Sequence, residues 1–298
     1  MATAADAEIL VHGGDVQGRS LWQDARRRLF RNKAAVASIV VLGLIMLGAV
    51  LATWLSPHPF DEVYWDRIGM PPDYANAHWF GTDNNGRDLF VRVLYGARVS
   101  LAVGIAATLV SLVIGVIYGA ASGFLGGKTD EVMMRIVDIL YSLPFMFFVI
   151  ILMVVFGRNI ILLFVALGAV QWLTMARIVR GQTLSVKRKE FIEAAHAAGV
   201  SSWRIVLRHI IPNVLGPVIV YVTLTVPEVI MTESFLSFLG LGVQEPYTSW
   251  GVLISEGAGQ MESAPWMLIY PAIFLGVTLF CFNFIGDGLR DALDPKDR

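Results

Sequence analysis

The sequence predicts an all-α membrane protein with six transmembrane helices, and three observations carry that prediction. Charged residues make up only 16% of the 298 and hydrophobic residues 56%, whereas soluble domains carry roughly 25% charge. Six segments contain no Asp, Glu, Lys or Arg at all: 34–55, 99–127, 139–156, 159–176, 210–227 and 263–286. A helix needs about 20 mainly apolar residues to cross the hydrocarbon layer, so each can span, some with tilt. Finally, the remaining charge gathers between these segments. Such apolar content excludes disorder. The balance of 23 Lys+Arg against 24 Asp+Glu excludes a strongly basic nucleic-acid binder. A single cysteine, Cys281, excludes a disulfide framework.

Taken in order, segment 34–55 reads as a retained anchor rather than a signal peptide. It is longer than a signal h-region and lacks a convincing small-x-small cleavage site. Segment 99–127 carries Gly115, Gly119, Gly123 and Gly127 at four-residue spacing, one smooth helix face for close packing. The fifth segment is expected to run past Glu228 to Leu239. With both termini inside, 18 of the basic residues fall on the inner side and five on the outer, so the positive-inside rule places both termini in the cytoplasm.

The inner connection between the fourth and fifth segments, 177–209, reads as two short helices. The first, near 186–198, is rich in Glu and Ala and stops at Gly199, suited to a left-handed cap. The second starts at Ser201 or Ser202 and is expected to end before Pro212. On composition this elbow is either a solvated hairpin or a compact knob for another protein. Its sequence, EAAHAAG followed by nine residues and HIIP, resembles the EAA loop of ABC-importer permeases. Glu193, Ala194, Ala195, Gly199 and Pro212 match that pattern, while His209 and Ile211 depart from it. The resemblance implies a coupling helix that docks in a groove of the nucleotide-binding subunit. Glu193 would be a polar contact and Gly199 the bend that aims it.

The outer loop contains FGTDNNGRDLFVRVLYGARVSL. Asp83, Asn84, Asn85 and Gly86 are turn formers, and the apolar spacing from Leu89 suits a short interfacial helix leading into the second span. A calcium loop starting at Asp83 fails, because Arg87 takes the fifth position and Leu94 the place of the bidentate Glu. The stretch is similar to the GTD-x2-GRD signature of the peptide/nickel branch of ABC permeases. A further loop, SFLSFLGLGVQEPYTSWGVLISEG, carries Tyr247 and Trp250, amphipathic groups suited to a membrane boundary. With the tail DGLRDALDP, it resembles the C-type subunits of oligopeptide permeases, over residues 20–298.

SGFLGGKT, at 122–129, is a near-match to a phosphate-binding loop. Such a loop must follow a soluble strand and open a helix; this one ends a membrane helix, so energy must come from another subunit. Arg135 and Asp138, three apart at the inner end of the third span, are expected to form an ion pair. Glu228 and Glu233 are five apart and cannot both face one cavity squarely. Glu233, between Thr232 and Ser234, either lines the translocation path or outer gate with Trp250, or is a carboxylate hydrogen-bonded within the bundle. The five histidines, His12, His58, His78, His196 and His209, are scattered and form no visible enzyme site.

The resemblance implies a type I ABC importer permease fold with five core spans and one extra. The divisions are an arm (1–33), a first helix (34–55), a periplasmic loop (56–96), a transmembrane domain (97–286, elbow about 186–212) and a tail (287–298). It further implies an inner-membrane, non-catalytic subunit that imports oligopeptides with a homologous permease, two ATPase subunits and a periplasmic binding protein. ATP and Mg would sit on the partners, and this chain would hold no catalytic residue, cofactor or metal. Dipeptides, murein peptides or nickel are the alternative cargoes within the branch. An ion-coupled secondary transporter is the alternative of another class.

Overall fold

The computed structural model describes residues 21–157 and 159–293. Residues 1–20, Arg158 and 294–298 lie outside it, and with them the unassigned first 19 residues and Arg19, Arg158, Lys296 and Arg298 of the charge count. Helix α1 (Leu21–Arg31) precedes the first span, α2 (Lys33–Leu55). Asn32 separates them: its side chain accepts hydrogen bonds from the Ala34 and Ala35 amides at 3.1 and 3.2 Å, satisfying two of the free donors of a helix start. Among the described residues, five helical segments are long and apolar enough to cross a membrane, and a bent pair of helices makes a sixth.

The second span is α3 (Leu89–Leu125), and it begins ten residues earlier than the uncharged segment. No separate interfacial helix exists. Leu89, Val91, Val93, Leu94 and Ala97 are all buried, and so is Arg92; a stretch enclosed on every side has no polar face to lay on a membrane surface. Asp88 caps its start, accepting from the Val91 amide at 2.9 Å.

The third span departs most from expectation. It consists of α4 (Gly127–Ser142) and α5 (Phe145–Phe156), which meet at 75°. Pro144 lacks an amide hydrogen and excludes helix from the residue ahead; Leu143 accordingly takes extended backbone (φ −73°, ψ 135°). Hydropathy alone passes over this break.

Helix α6 (Ile160–Val186) lies against α3, and the glycine stripe is the reason they come so close. A Cβ on Gly119 would stand 2.3 Å from the Ala176 carbonyl oxygen, and one on Gly115 2.5 Å from the Met175 side chain. Gly123 similarly faces Thr183 and the Arg180 carbonyl. Gly127 does not belong to the stripe, since α3 ends at Leu125 and Gly127 opens α4 with nothing within 4 Å.

The elbow follows as α7 (Glu190–Ala197) and α8 (Ser202–Ile205). Contrary to expectation, the helix does not end before Pro212. It widens into one π-helical turn (Val206–Ile210) and continues as α9 (Ile211–Phe238). The Ile211 amide reaches back five residues to the Val206 carbonyl. The wider turn moves the carbonyls that a proline ring would strike, so Pro212 is accommodated as if at a helix start. A short helix, α10 (Trp250–Ala258), and the last span, α11 (Trp266–Leu293), complete the chain.

At α3–α6 the packing predicts that Gly119→Ala lowers the thermal midpoint of the detergent-solubilised protein, at a cost of about 1–3 kcal/mol. Gly43→Ala in α2, where a Cβ meets nothing within 4 Å, should leave the midpoint unchanged or raised. Equal midpoints for both variants would show that the stripe does not set the helix separation.

Candidate functional site

Three places concentrate functional side chains: the elbow, a polar clamp at the opposite end of the bundle, and a cavity between them.

The elbow is anchored from below and bare on top. Ile192 is buried among Val186, Ile205, Val206 and Ile210. Helix α7 stops at Gly199, whose φ of +74° is in the left-handed region that glycine enters without cost. The Gly199 amide bonds the His196 carbonyl at 3.0 Å and the Val200 amide the Ala195 carbonyl at 3.1 Å, the paired bonds of a Schellman cap. The exposed surface includes Phe191, Glu193, Ala194, Gly199 and Trp203, with Ala195 half-buried beneath. Two contacts tie this knob to the end of α3. The His196 ring stacks on Phe124 at 5.5 Å, and the Lys187 ammonium donates to the Phe124 carbonyl. Pro212 is exposed on α9, one turn beyond.

The clamp is built on Asp83. Its Oδ1 accepts from the Asn85 and Arg87 amides at 2.8 and 2.9 Å, fixing the turn. Oδ2 pairs with Arg87 Nε at 2.8 Å and with Arg92 of α3. Arg87 also reaches Glu245 at 3.0 Å, and Arg92 lies 3.6 Å from Glu256 of α10. Burial opposes the charge on Arg87, yet Asp83 and Glu245 outweigh it and hold the guanidinium above its usual range. Both oxygens that a calcium ion would need are therefore spent on backbone and guanidinium donors.

His58 and His78 stack at 4.1 Å beside Asp88, a cluster that nineteen intervening residues conceal in the sequence. The ring planes lie 13° from parallel, so their in-plane lone pairs do not converge on one point as metal ligation requires. His58 is engaged at both nitrogens, by Tyr64 Oη at 3.1 Å and the Asn76 carbonyl at 3.0 Å. Asp88 takes His78 Nδ1 at 2.8 Å. The group fastens the loop to the start of α3.

Glu233 and Trp250, expected on the path or gate, are both enclosed at 0% exposure. The Glu233 carboxylate accepts from Ser237 at 2.7 Å and from Ser100 at 3.4 Å. Ser100 in turn accepts the Trp250 amide at 3.2 Å, and the Trp250 indole donates to the Val93 carbonyl at 3.0 Å. These two residues lock α3, α9 and α10 together. The bundle-internal alternative fits Glu233; a path-lining role does not.

The cavity, about 520 Å³, opens between the α4–α5 bend, α6 and α9. Its polar lining is Tyr141, Gln171, Thr174, Glu228 and Thr232. Near its rim the expected Arg135–Asp138 pair is replaced: Asp138 bonds Arg177 of α6 at 2.7 Å, and the Arg177 guanidinium lies 4.4 Å from the Tyr141 ring centroid. A guanidinium from a facing helix can meet the carboxylate end-on, which a neighbour three residues along the same helix does less well. A second bridge was not foreseen. Asp130 receives Arg180 through two bonds of 2.6 Å, pinning the start of α4 to α6, and fifty residues of separation leave no local signal. The lysine and threonine of SGFLGGKT follow a helix rather than a strand, so no phosphate cradle forms there.

An elbow on one end, a clamped loop on the other and a cavity between them define a membrane translocation component. Residues 111–298 match the family described as "Binding-protein-dependent transport system inner membrane component", and residues 20–72 match "N-terminal TM domain of oligopeptide transport permease C". The chain belongs to the family of binding-protein-dependent transport inner membrane components. It is 64% identical to the oligopeptide transport system permease protein OppC of Escherichia coli K12, over 95% of this chain and 94% of that one. Identity to the OppC of Haemophilus influenzae is 61%, over 95% and 91%. With the dipeptide transport system permease protein DppC of Bacillus subtilis it is 47%, over 94% and 87%.

Asp83 provides the test of the clamp. Asp83→Ala would leave Arg87 and Arg92 buried without their shared carboxylate, a loss of about 3–5 kcal/mol. The expected readout is rapid proteolysis within 56–88 and a lowered thermal midpoint. An unaltered cleavage pattern would remove the clamp from the account.

Proposed function

We infer that this chain is one of two permease subunits of an ATP-driven importer that carries oligopeptides into the cytoplasm. The observation that carries the cargo is the 61–64% identity, over nearly whole chains, to proteins named as oligopeptide permeases. The chain itself supplies no chemistry. Two ATPase subunits would hold ATP and Mg, and a binding protein outside would deliver peptide.

The elbow is the ATPase contact in this reading: Glu193, Ala194 and Ala195 dock, Gly199 sets the angle, and Pro212 marks the passage into the membrane. Basic α1 residues Arg26, Arg27, Arg28 and Arg31 lie at the same end as the elbow, since α1 packs on the end of α11. That end faces the cytoplasm of an inner membrane, and both termini with it. The homologous second permease would cover the apolar face of α4 and α5, where Val132, Ile136, Ile139, Phe147 and Ile151 are exposed.

Because α8, the π-turn and α9 form one continuous helical run, with Pro217 and Pro227 inside α9, displacement of the elbow is carried along the chain into the cavity wall. ATP-driven closure of the ATPase pair would thus rock α9 against α3 and α6, exposing the cavity to each side in turn. The test is direct. Tagged wild-type protein should bring down ATPase subunits from solubilised membranes, and Glu193→Lys should cut ATP-dependent peptide uptake by at least about tenfold, the effect of about 1.4 kcal/mol at one interface. Uptake at the wild-type rate by that variant would refute the elbow as the coupling element.

A further inference from the structure

We propose that Glu228 is the cargo-contacting residue of this subunit, receiving the cationic amino terminus of a peptide in transit; the assignment rests on the importer reading above. Its carboxylate lines the cavity at the level of the α4–α5 bend and is exposed there. Among the described residues it has no ion-pair partner. Its own helix brings no cation near it: Tyr221 is uncharged, and the Thr232 hydroxyl bonds the Glu228 backbone carbonyl at 2.8 Å rather than the carboxylate. Arg177, beside the lining residue Tyr141, is already committed to Asp138 and to the Tyr141 ring. Of the other acids at or near the α4–α6–α9 packing, Asp130 is paired with Arg180 and Asp138 with Arg177, while Glu233 is enclosed and hydrogen-bonded by Ser237 and Ser100.

A charged side chain at membrane depth is costly unless it faces water or a counter-charge. Glu228 alone faces an open cavity without a built-in cation, so the counter-charge that suits it is one that comes and goes. The rest of the lining fits a peptide of unspecified sequence. Gln171, Thr174 and Thr232 offer donors and acceptors to backbone amides, while Leu143, Phe145 and Phe148 offer apolar surface to side chains. The volume of about 520 Å³ falls within the roughly 300–1,000 Å³ of small-ligand sites. Pairing an ammonium with one fixed carboxylate, and leaving side chains to apolar contact, recognises what all peptides share.

The test uses the whole complex, reconstituted with its partner subunits and fed by peptide-loaded binding protein. A water-soluble carbodiimide activates a carboxylate, and a lysine-free peptide carries its α-amine as sole primary amine. The expected product is an amide linking that amine to Glu228, found by mass spectrometry in the wild type and absent with the N-acetylated peptide. In parallel, Glu228→Gln should assemble normally and keep binding-protein-stimulated ATP hydrolysis within about twofold. It should import about tenfold less peptide per ATP, the size of one lost charge-assisted contact, with Glu228→Asp restoring most of it. A link at Asp138, no link at all, or undiminished import by Glu228→Gln would each overturn the proposal. So would failure of the Gln variant to assemble, which would make Glu228 a partner-subunit contact. Absence of peptide import by the wild-type complex would instead sink the importer reading itself, and the two failures are thereby told apart.

Discussion

In a hydrocarbon layer no water is at hand for a backbone amide or carbonyl, and each one left without a partner costs several kcal/mol. This constraint governs where the chain stays helical and where it does not. At Pro212 the helix persists, because one π-turn lets the Ile211 amide reach the Val206 carbonyl and the chain enters the membrane without a break. At Pro144 it does not persist, and Leu143 turns to extended backbone. Irregular backbone at membrane depth is tolerated where it lines a cavity, and Leu143 does line one. The two prolines meet the same requirement by opposite routes: at one the helix stays continuous, at the other a space opens.

The same solvent sets the rule for charge. Two acids near the α3–α6 seam are matched to bases on a facing helix, Asp130 to Arg180 and Asp138 to Arg177. These bridges do structural work because glycines have already brought the helices together; with Gly119 a Cβ's width from the Ala176 carbonyl, the axes cannot part without breaking contact along their length. Against this rigid pair, Glu228 stands out by lacking a partner where its neighbours have one.

Much of this was legible in the sequence, and the misses share a cause. Segments free of charge announce the spans, since few other contexts tolerate so many uncharged residues. Gly199 announced its cap, because the left-handed turn that ends a helix depends on the residue at that point alone. Errors arose wherever the deciding partner was distant. Arg135 was assigned to Asp138 on local spacing, but Arg177, thirty-nine residues on, took the bond. Glu228 and Glu233 were correctly separated by helical geometry, yet which of them sees a cavity depends on the α4–α5 bend. His58 and His78 are brought together only by the folded loop. Long-range pairing leaves no periodicity to read.

The elbow and the cavity are joined through covalent continuity rather than through a relay of contacts. Ser202 to Phe238 is one helical run, with the docking surface just before its start and Glu228 in its second half. Its far end is fixed by Glu233, held to Ser100 of α3 and close to Trp250. A helix pushed at one end and pinned at the other turns about the pin, so its displacement grows with distance from the pin. Glu228 lies five residues short of the pin, so its carboxylate nearly keeps its place while the stretch nearer the elbow swings further. The buried Glu233 carboxylate thus fixes the far end of α9, and Glu228, five residues before it, lines the cavity.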